Sequence, residues 1–162
     1  VNTKTLYEIC VRVLKQLFRG IYVEVLYKEY LITDDKERIN RQVVLDYLAQ
    51  SYWANRRPPE RILKSIENSH CYGVYHNDKQ IGFARLVTDE ATVYYLCDVF
   101  VIKEYQGQGI GKKLIEIITK SEEYEWMTGI LGTLDAHGLY EQYGYEKDSE
   151  RFMRRMPQRR KT

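Results

Sequence analysis

The chain has 162 residues, 44% hydrophobic and 30% charged, with a formal net charge of +2 at pH 7. That length suits one globular domain with a real core, and the near-neutral balance implies no electrostatic pull toward nucleic acid or a membrane surface. No apolar run approaches membrane-spanning length, and the three cysteines (Cys10, Cys71, Cys97) are too few and too scattered for a disulfide framework; they suit buried thiols in a reducing cytoplasm.

Leu6, Ile9, Cys10, Val13, Leu14, Leu17 and Phe18 recur at helical spacing, with Gly20 as a stop, which predicts an amphipathic N-terminal helix over 1–20. Glu8, Arg12 and Lys15 interrupt what would be the apolar region of a signal peptide. The apolar stripe is expected to pack on the domain or on a second copy of it in a homodimer. Residues 22–32 read as one strand with its turn at Thr33-Asp34-Asp35. Residues 36–53 read as a helix whose apolar side is Ile39, Val43, Val44, Tyr47 and Leu48. Arg56-Arg57-Pro58-Pro59 ends it, and Pro59 opens a short helix through 65.

From His70 the pattern changes to strands over 71–75, 80–87 and 92–102, joined by short polar turns, as in an antiparallel meander. A helix from Ile110 to Lys120 follows, then a strand over 129–134, a short helix over 136–143 closed by Gly144, and a last strand over 152–156. The tail at 157–162 carries Arg159, Arg160 and Lys161 and reads as a frayed, solvated end. Its basic residues raise nucleic-acid binding as a rival function, against which the near-neutral whole chain argues.

The chain centres on 93–120. A long apolar strand feeds the turn Gln106-Gly107-Gln108-Gly109-Ile110-Gly111, which opens an amphipathic helix with Ile110, Leu114, Ile117 and Ile118 on one side. Such a turn presents free backbone N–H groups at the positive end of a helix dipole, an anion site. Three phosphate loops fail on spacing. A dinucleotide fingerprint would need glycine where Lys112 stands, a Walker loop would need Ser or Thr at Lys113 and glycine at Gln106, and a kinase glycine loop joins two strands. What remains is Q-x-x-G-x-G.

That pattern resembles the Q/R-x-x-G-x-G/A motif of the GCN5-related N-acetyltransferases (GNAT). Farther on, the segment from Ala136 to Tyr145, with Leu139, Tyr140, Gly144 and Tyr145, is similar to that family's A-x-x-L-Y-x-x-x-G-F/Y segment. The resemblance implies an α/β fold with a mixed, mostly antiparallel central sheet flanked by helices. The acetyltransferase domain would span 21–156, between the N-terminal helix and the basic tail. It further implies an enzyme that moves the acetyl group of acetyl-CoA to a primary amine of a small molecule or peptide by direct attack. A non-catalytic CoA-binding or sensing module of the same fold is the alternative.

Carried onto these positions, the resemblance implies that Val99, Phe100 and Val101 bond the pantetheine arm and acetyl oxygen through main-chain groups. Gly107, Gln108, Gly109, Ile110, Gly111 and Lys112 would wrap the pyrophosphate, and Thr133 stands where the family often has an Asn that bonds the pantetheine. Tyr140 would be the general acid. The general base is open. The family's usual Glu falls near Thr128, which cannot serve, leaving Asp98, Asp135, His137 or a chain of waters. If the strand alternates, Asp98 shares a face with Phe100; an equal alternative is a structural hydrogen-bond acceptor. Asp135 also reads as the cap of the helix carrying Tyr140. Cys97, beside the active strand, reads as a small buried hydrophobe, not a nucleophile. No metal is expected, since His70, Cys71 and His76 lack ligand spacing. Tyr47, Tyr52, Trp53, Arg56 and Arg57 fall near the acceptor side and would suit an acceptor with an apolar part and a carboxylate or phosphate.

Overall fold

The computed structural model describes residues 22–156, so the expected N-terminal helix over 1–20 and the tail at 157–162 lie outside the described residues. One sheet organises the rest: β1 (Glu24–Tyr27), β2 (Tyr30–Thr33), β3 (His70–His76), β4 (Lys79–Thr88), β5 (Val93–Val101) and β6 (Thr128–Leu131), in that spatial order. Neighbours from β1 to β5 are antiparallel, and β5 pairs with β6 in parallel. This is the mixed, mostly antiparallel sheet that the resemblance implied.

Helices cover both faces. On one, α1 (Arg41–Gln50) and α2 (Pro59–Glu67) bury Val44, Leu48, Ile62 and Ile66 against Cys71, Phe83 and Phe100. On the other, α3 (Ile110–Thr119) buries Ile110, Leu114, Ile115 and Ile118 against Tyr72, Val74, Ala84, Leu86 and Leu96. The short α4 (His137–Tyr140) joins that second core through Tyr140. Local chemistry accounts for the helix ends. Asn40 Oδ1 accepts from the N–H groups of Gln42 and Val43 to start α1, and Pro59 occupies the first turn of α2, where its missing N–H costs nothing.

Three expectations need correcting. Residues 22–32 are not one strand but most of a hairpin, because Lys28 turns the chain with φ +54° and Tyr27 then faces Tyr30. No Gly or Asn marks that turn. Residues 152–156 are exposed coil that joins no strand of the sheet. The helix expected from 36 also begins later: Lys36–Arg38 is a 3-10 turn, and α1 starts after Asn40.

One irregularity in β5 positions the site. Arg85 pairs with Cys97 and Phe83 with Phe100, so β5 spends three residues where β4 spends two. The extra residue is a β-bulge at Asp98, whose φ is +53°. It shifts the alternation of side chains. Tyr94 and Leu96 face the α3 core, as do Val99 and Val101, whereas Phe100 faces α1 and α2.

Candidate active site

The pairing of β5 with β6 runs from Val93 opposite Thr128 to Leu96 opposite Leu131 and stops there. Past the bulge, residues 97–101 have a strand neighbour on the β4 side alone. A gap in the pairing thus opens between the end of β5 and the chain that follows β6. One wall is main chain that has no strand partner on its β6 side, suited to an extended ligand that adds itself to the sheet.

The glycine turn closes the end of the gap nearest Val101. Gly107 and Gly109 hold φ of +77° and +84°, which favours glycine. Gly109 is the N-cap of α3 and no side chain caps the helix, so the first N–H groups of α3 remain available to an anion. A side chain at Gly107 would meet nothing within 4 Å, so the space beside that residue is open. Gln106, the first residue of the motif, donates from Nε2 to the carbonyl of Val101 at 2.8 Å and ties the turn to the strand end. Ile110 is buried in the α3 core, so it offers the site its main chain only. Lys112 is exposed. The turn, free helix start and open strand edge fit a long ligand with a pyrophosphate at one end.

The opposite end of the gap is built from α4 and the loop before it. Tyr140 is 8% exposed and packs edge-on against Tyr145. Burial pushes its hydroxyl up to about 12, with Tyr52, Asp135 and Cys97 close enough to add to the effect. Among the described residues, no hydrogen bond engages that hydroxyl, whereas Tyr145 is paired with Tyr94 at 2.8 Å. Asp135 is not the helix cap. The N-cap is Ala136, whose N–H is taken by Thr133 Oγ1 at 3.1 Å, while Asp135 accepts from Tyr52 Oη at 3.2 Å. Thr133 Oγ1 thus bonds within its own turn.

Asp98 lies on the same side as Phe100, but it is not a free base. Its side chain is 1% exposed. Arg57 Nη1 lies 2.8 and 3.0 Å from the two carboxylate oxygens, and Arg85 Nε and Nη2 each reach Oδ2 at 2.8 Å. The carboxylate is thus held in two ion pairs, the arrangement expected of a structural acceptor. The Cys97 thiol donates to the carbonyl of Arg85 at 3.5 Å and is pushed up to about 12, first of all by burial, which makes it a poor nucleophile.

Several residues at the site escaped the reading of the sequence. Arg85 is a lone charge in an apolar strand, as Asp98 is in the next, and that coincidence was the available signal for their pairing. Arg57 came from the acceptor side and Tyr27, Lys28 and Tyr30 from the hairpin, with no local signal.

The sequence model of the acetyltransferase (GNAT) domain matches residues 67–147, half of the chain, including the turn and Tyr140. The chain belongs to the GNAT family. A GNAT-family crystal structure from Xanthomonas campestris pv. campestris superposes with a TM-score of 0.75 at 30% identity, over 79% of this chain and 93% of that one. A ycf52-like protein of Prochlorococcus marinus, named as an uncharacterized N-acetyltransferase, is 34% identical over 57% of this chain and 54% of its own length. The ycf52 protein of Gracilaria tenuistipitata var. liui, named likewise, is 31% identical over 65% of this chain and 62% of its own. The chain thus spans about half to two thirds of the length of these curated relatives. GNAT proteins are acyltransferases that use acetyl-CoA as cosubstrate and act on amine acceptors. Among the described residues of this GNAT domain, no helix is long and apolar enough to cross a membrane.

Proposed function

We propose that this GNAT domain transfers the acetyl group of acetyl-CoA to a primary amine of a small molecule or peptide by direct attack. The observation that carries the reading is the gap in the sheet: β5 loses its β6 partner after Leu96, with the glycine turn at one end and the Tyr140 hydroxyl at the other. Acetyl-CoA supplies an activated thioester carbon. The chain supplies the rest.

Main-chain groups of Val99, Phe100 and Val101 hold the extended arm as an added strand would be held. A main-chain N–H at the bulge, fixed in place by the Asp98 ion pairs, donates to the acetyl oxygen as negative charge develops there. The N–H groups from Gly107 to Lys112 receive the pyrophosphate. Tyr140 keeps its proton at neutral pH. Its raised pKa makes complete transfer to a thiolate harder, so it acts as a hydrogen-bond donor that strengthens as the sulfur gains charge. The amine must be neutral when it attacks. With Asp98 committed, the exposed Asp135, one hydrogen bond from Tyr52, is the carboxylate placed to take the amine's proton, directly or through water.

The acceptor side is walled by Tyr47, stacked on Phe100 at 3.9 Å, by Trp53 and Tyr52 packed edge to face, and by Arg57. This wall suits an acceptor with an apolar part and a carboxylate or phosphate. Free, buried or half-buried thiols at Cys71 and Cys97 suit a reducing cytoplasm. The commitment of Asp98 favours one second reading, a CoA-binding or sensing module without turnover. Thiol release from acetyl-CoA, measured across amino acids, polyamines, aminoglycosides and peptide N-termini, separates the two. Turnover with any amine supports the transferase, and CoA binding without turnover on the whole panel supports the module.

A further inference from the structure

The β1–β2 hairpin grips the glycine turn at a single residue, Gln108, about eighty positions later in the chain. Lys28 Nζ donates to the Gln108 carbonyl at 2.8 Å, and Tyr27 Oη approaches the same oxygen at 3.5 Å. Tyr30 Oη donates to the Gln108 side-chain oxygen at 2.6 Å. Tyr27 also stands where a side chain on Gly109 would go, its hydroxyl 2.7 Å from that position. The grip is anchored from below. Tyr30 packs edge-on against His76 and Tyr105, at 5.4 and 6.0 Å between ring centres, and His76 Nδ1 lies 3.1 Å from Tyr105 Oη. Tyr105 belongs to the 3-10 turn that leads into the glycine turn.

Peptide geometry turns this contact into a consequence for binding. The bond between Gln108 and Gly109 is trans, so the Gln108 carbonyl and the Gly109 N–H point in opposite directions. Holding the carbonyl against the hairpin aims the N–H to the opposite side of the peptide, away from the hairpin. A glycine on each side of Gln108 leaves this peptide free to rotate unless something holds it. We infer that the β1–β2 hairpin, through Lys28 and Tyr30, sets the orientation of the Gln108–Gly109 peptide and so preorganises the turn for the phosphates of CoA. Lys28 and Tyr30 are positioning residues. They act through Gln108.

The inference rests on the glycine turn being the phosphate site, and the test separates the two. CoA binding to the full chain is measured by calorimetry for the wild type, Lys28→Met, Tyr30→Phe, the double variant and Gly111→Asp. The last places a carboxylate in the first turn of α3, where the dipole favours it but a phosphate does not. The dissociation constant is expected to rise about tenfold in the double variant and at least as much in Gly111→Asp. With an amine that supports turnover, KM for acetyl-CoA should rise more than kcat falls. Lys28→Arg, which keeps a donor, should restore most of the affinity. In ¹⁵N-labelled protein, the Gly109 amide resonance should move in the double variant before any CoA is added. Weakened binding in Gly111→Asp with unchanged binding and an unmoved Gly109 resonance in the double variant overturns the hairpin's role and leaves the phosphate site standing. Unchanged binding in Gly111→Asp removes the phosphate site, and the hairpin's role with it.

Discussion

Arg57 meets Asp98 at 2.8 Å and so joins the loop after α1 to the bulge in β5. Arg85 completes the arrangement from the neighbouring strand, with Ser69 Oγ accepting from its Nη1 at 3.0 Å. Removing the carboxylate would leave Arg85, itself 10% exposed at the side chain, without a counter-charge. Breaking a buried pair in this way costs about 3–5 kcal/mol. Asp98→Asn keeps a residue that tolerates positive φ and so isolates the charge. It is expected to lower the free energy of urea unfolding by about 3 kcal/mol, with Arg57→Met costing less because Arg57 is partly solvated. A drop under about 1 kcal/mol, the range of exposed pairs, would show that the ion pairs do not hold the bulge.

Tyr140→Phe removes one hydroxyl and keeps the ring that packs on Tyr145. A positioned acid is worth about 10²–10⁴ in rate, so turnover is expected to fall by at least about a hundredfold while CoA affinity changes little. Equal losses in both would reassign Tyr140 to binding or packing.

Two glycines of the turn should answer differently to alanine. At Gly109, φ is +84° and the new methyl would press on the Tyr27 hydroxyl, so Gly109→Ala should cost about 1–2 kcal/mol of stability and weaken CoA binding. At Gly111, inside α3, the methyl would sit in ordinary contact with Val101 Cγ2 at 3.9 Å. Gly111→Ala should stabilise the fold by about 0.5–1 kcal/mol. Thermal melts of both proteins check the opposite signs.

Alkaline pH should destabilise the fold. Burial holds the thiols of Cys71 and Cys97 up to about 11 and about 12, against an ordinary 9.0. Unfolded thiols release protons from about pH 9 and folded ones do not, so above that pH the unfolded state binds fewer protons. This contribution is complete below pH 9 and is lost as pH rises through 11 to 12. Tyr140, raised from 10.0 to about 12, adds a loss of the same sign above pH 10. Melting temperature should fall between pH 8.5 and 10.5, and less steeply in the Cys71→Ala, Cys97→Ala protein. Parallel curves would argue against the thiols.

Helix α3 was legible because its signal is local: apolar residues at helical spacing after a glycine turn. The same holds for the β3–β4–β5 meander, whose ends moved by only a residue or two. The β1–β2 hairpin was not legible, because Lys28 turns the chain without a residue that favours positive φ, and pairing with β3 is what holds it. Residues 152–156 carry apolar side chains, yet they stay exposed and join no strand, and composition does not report which segments pair.

The stretch from Val93 to Lys120 determined by itself that a strand, a glycine turn and a helix follow one another, and its resemblance, with the Tyr140 segment, to the GNAT motifs pointed to acetyl-CoA. Those features rest on backbone conformation and helical period, which neighbouring residues set. The roles of Asp98 and Gln108 depended on partners far along the chain: Arg57 forty-one residues before one, Lys28 eighty before the other. Only the folded sheet brings these groups within hydrogen-bonding distance. Which groups surround the Asp98 carboxylate and the Gln108 carbonyl was decided there.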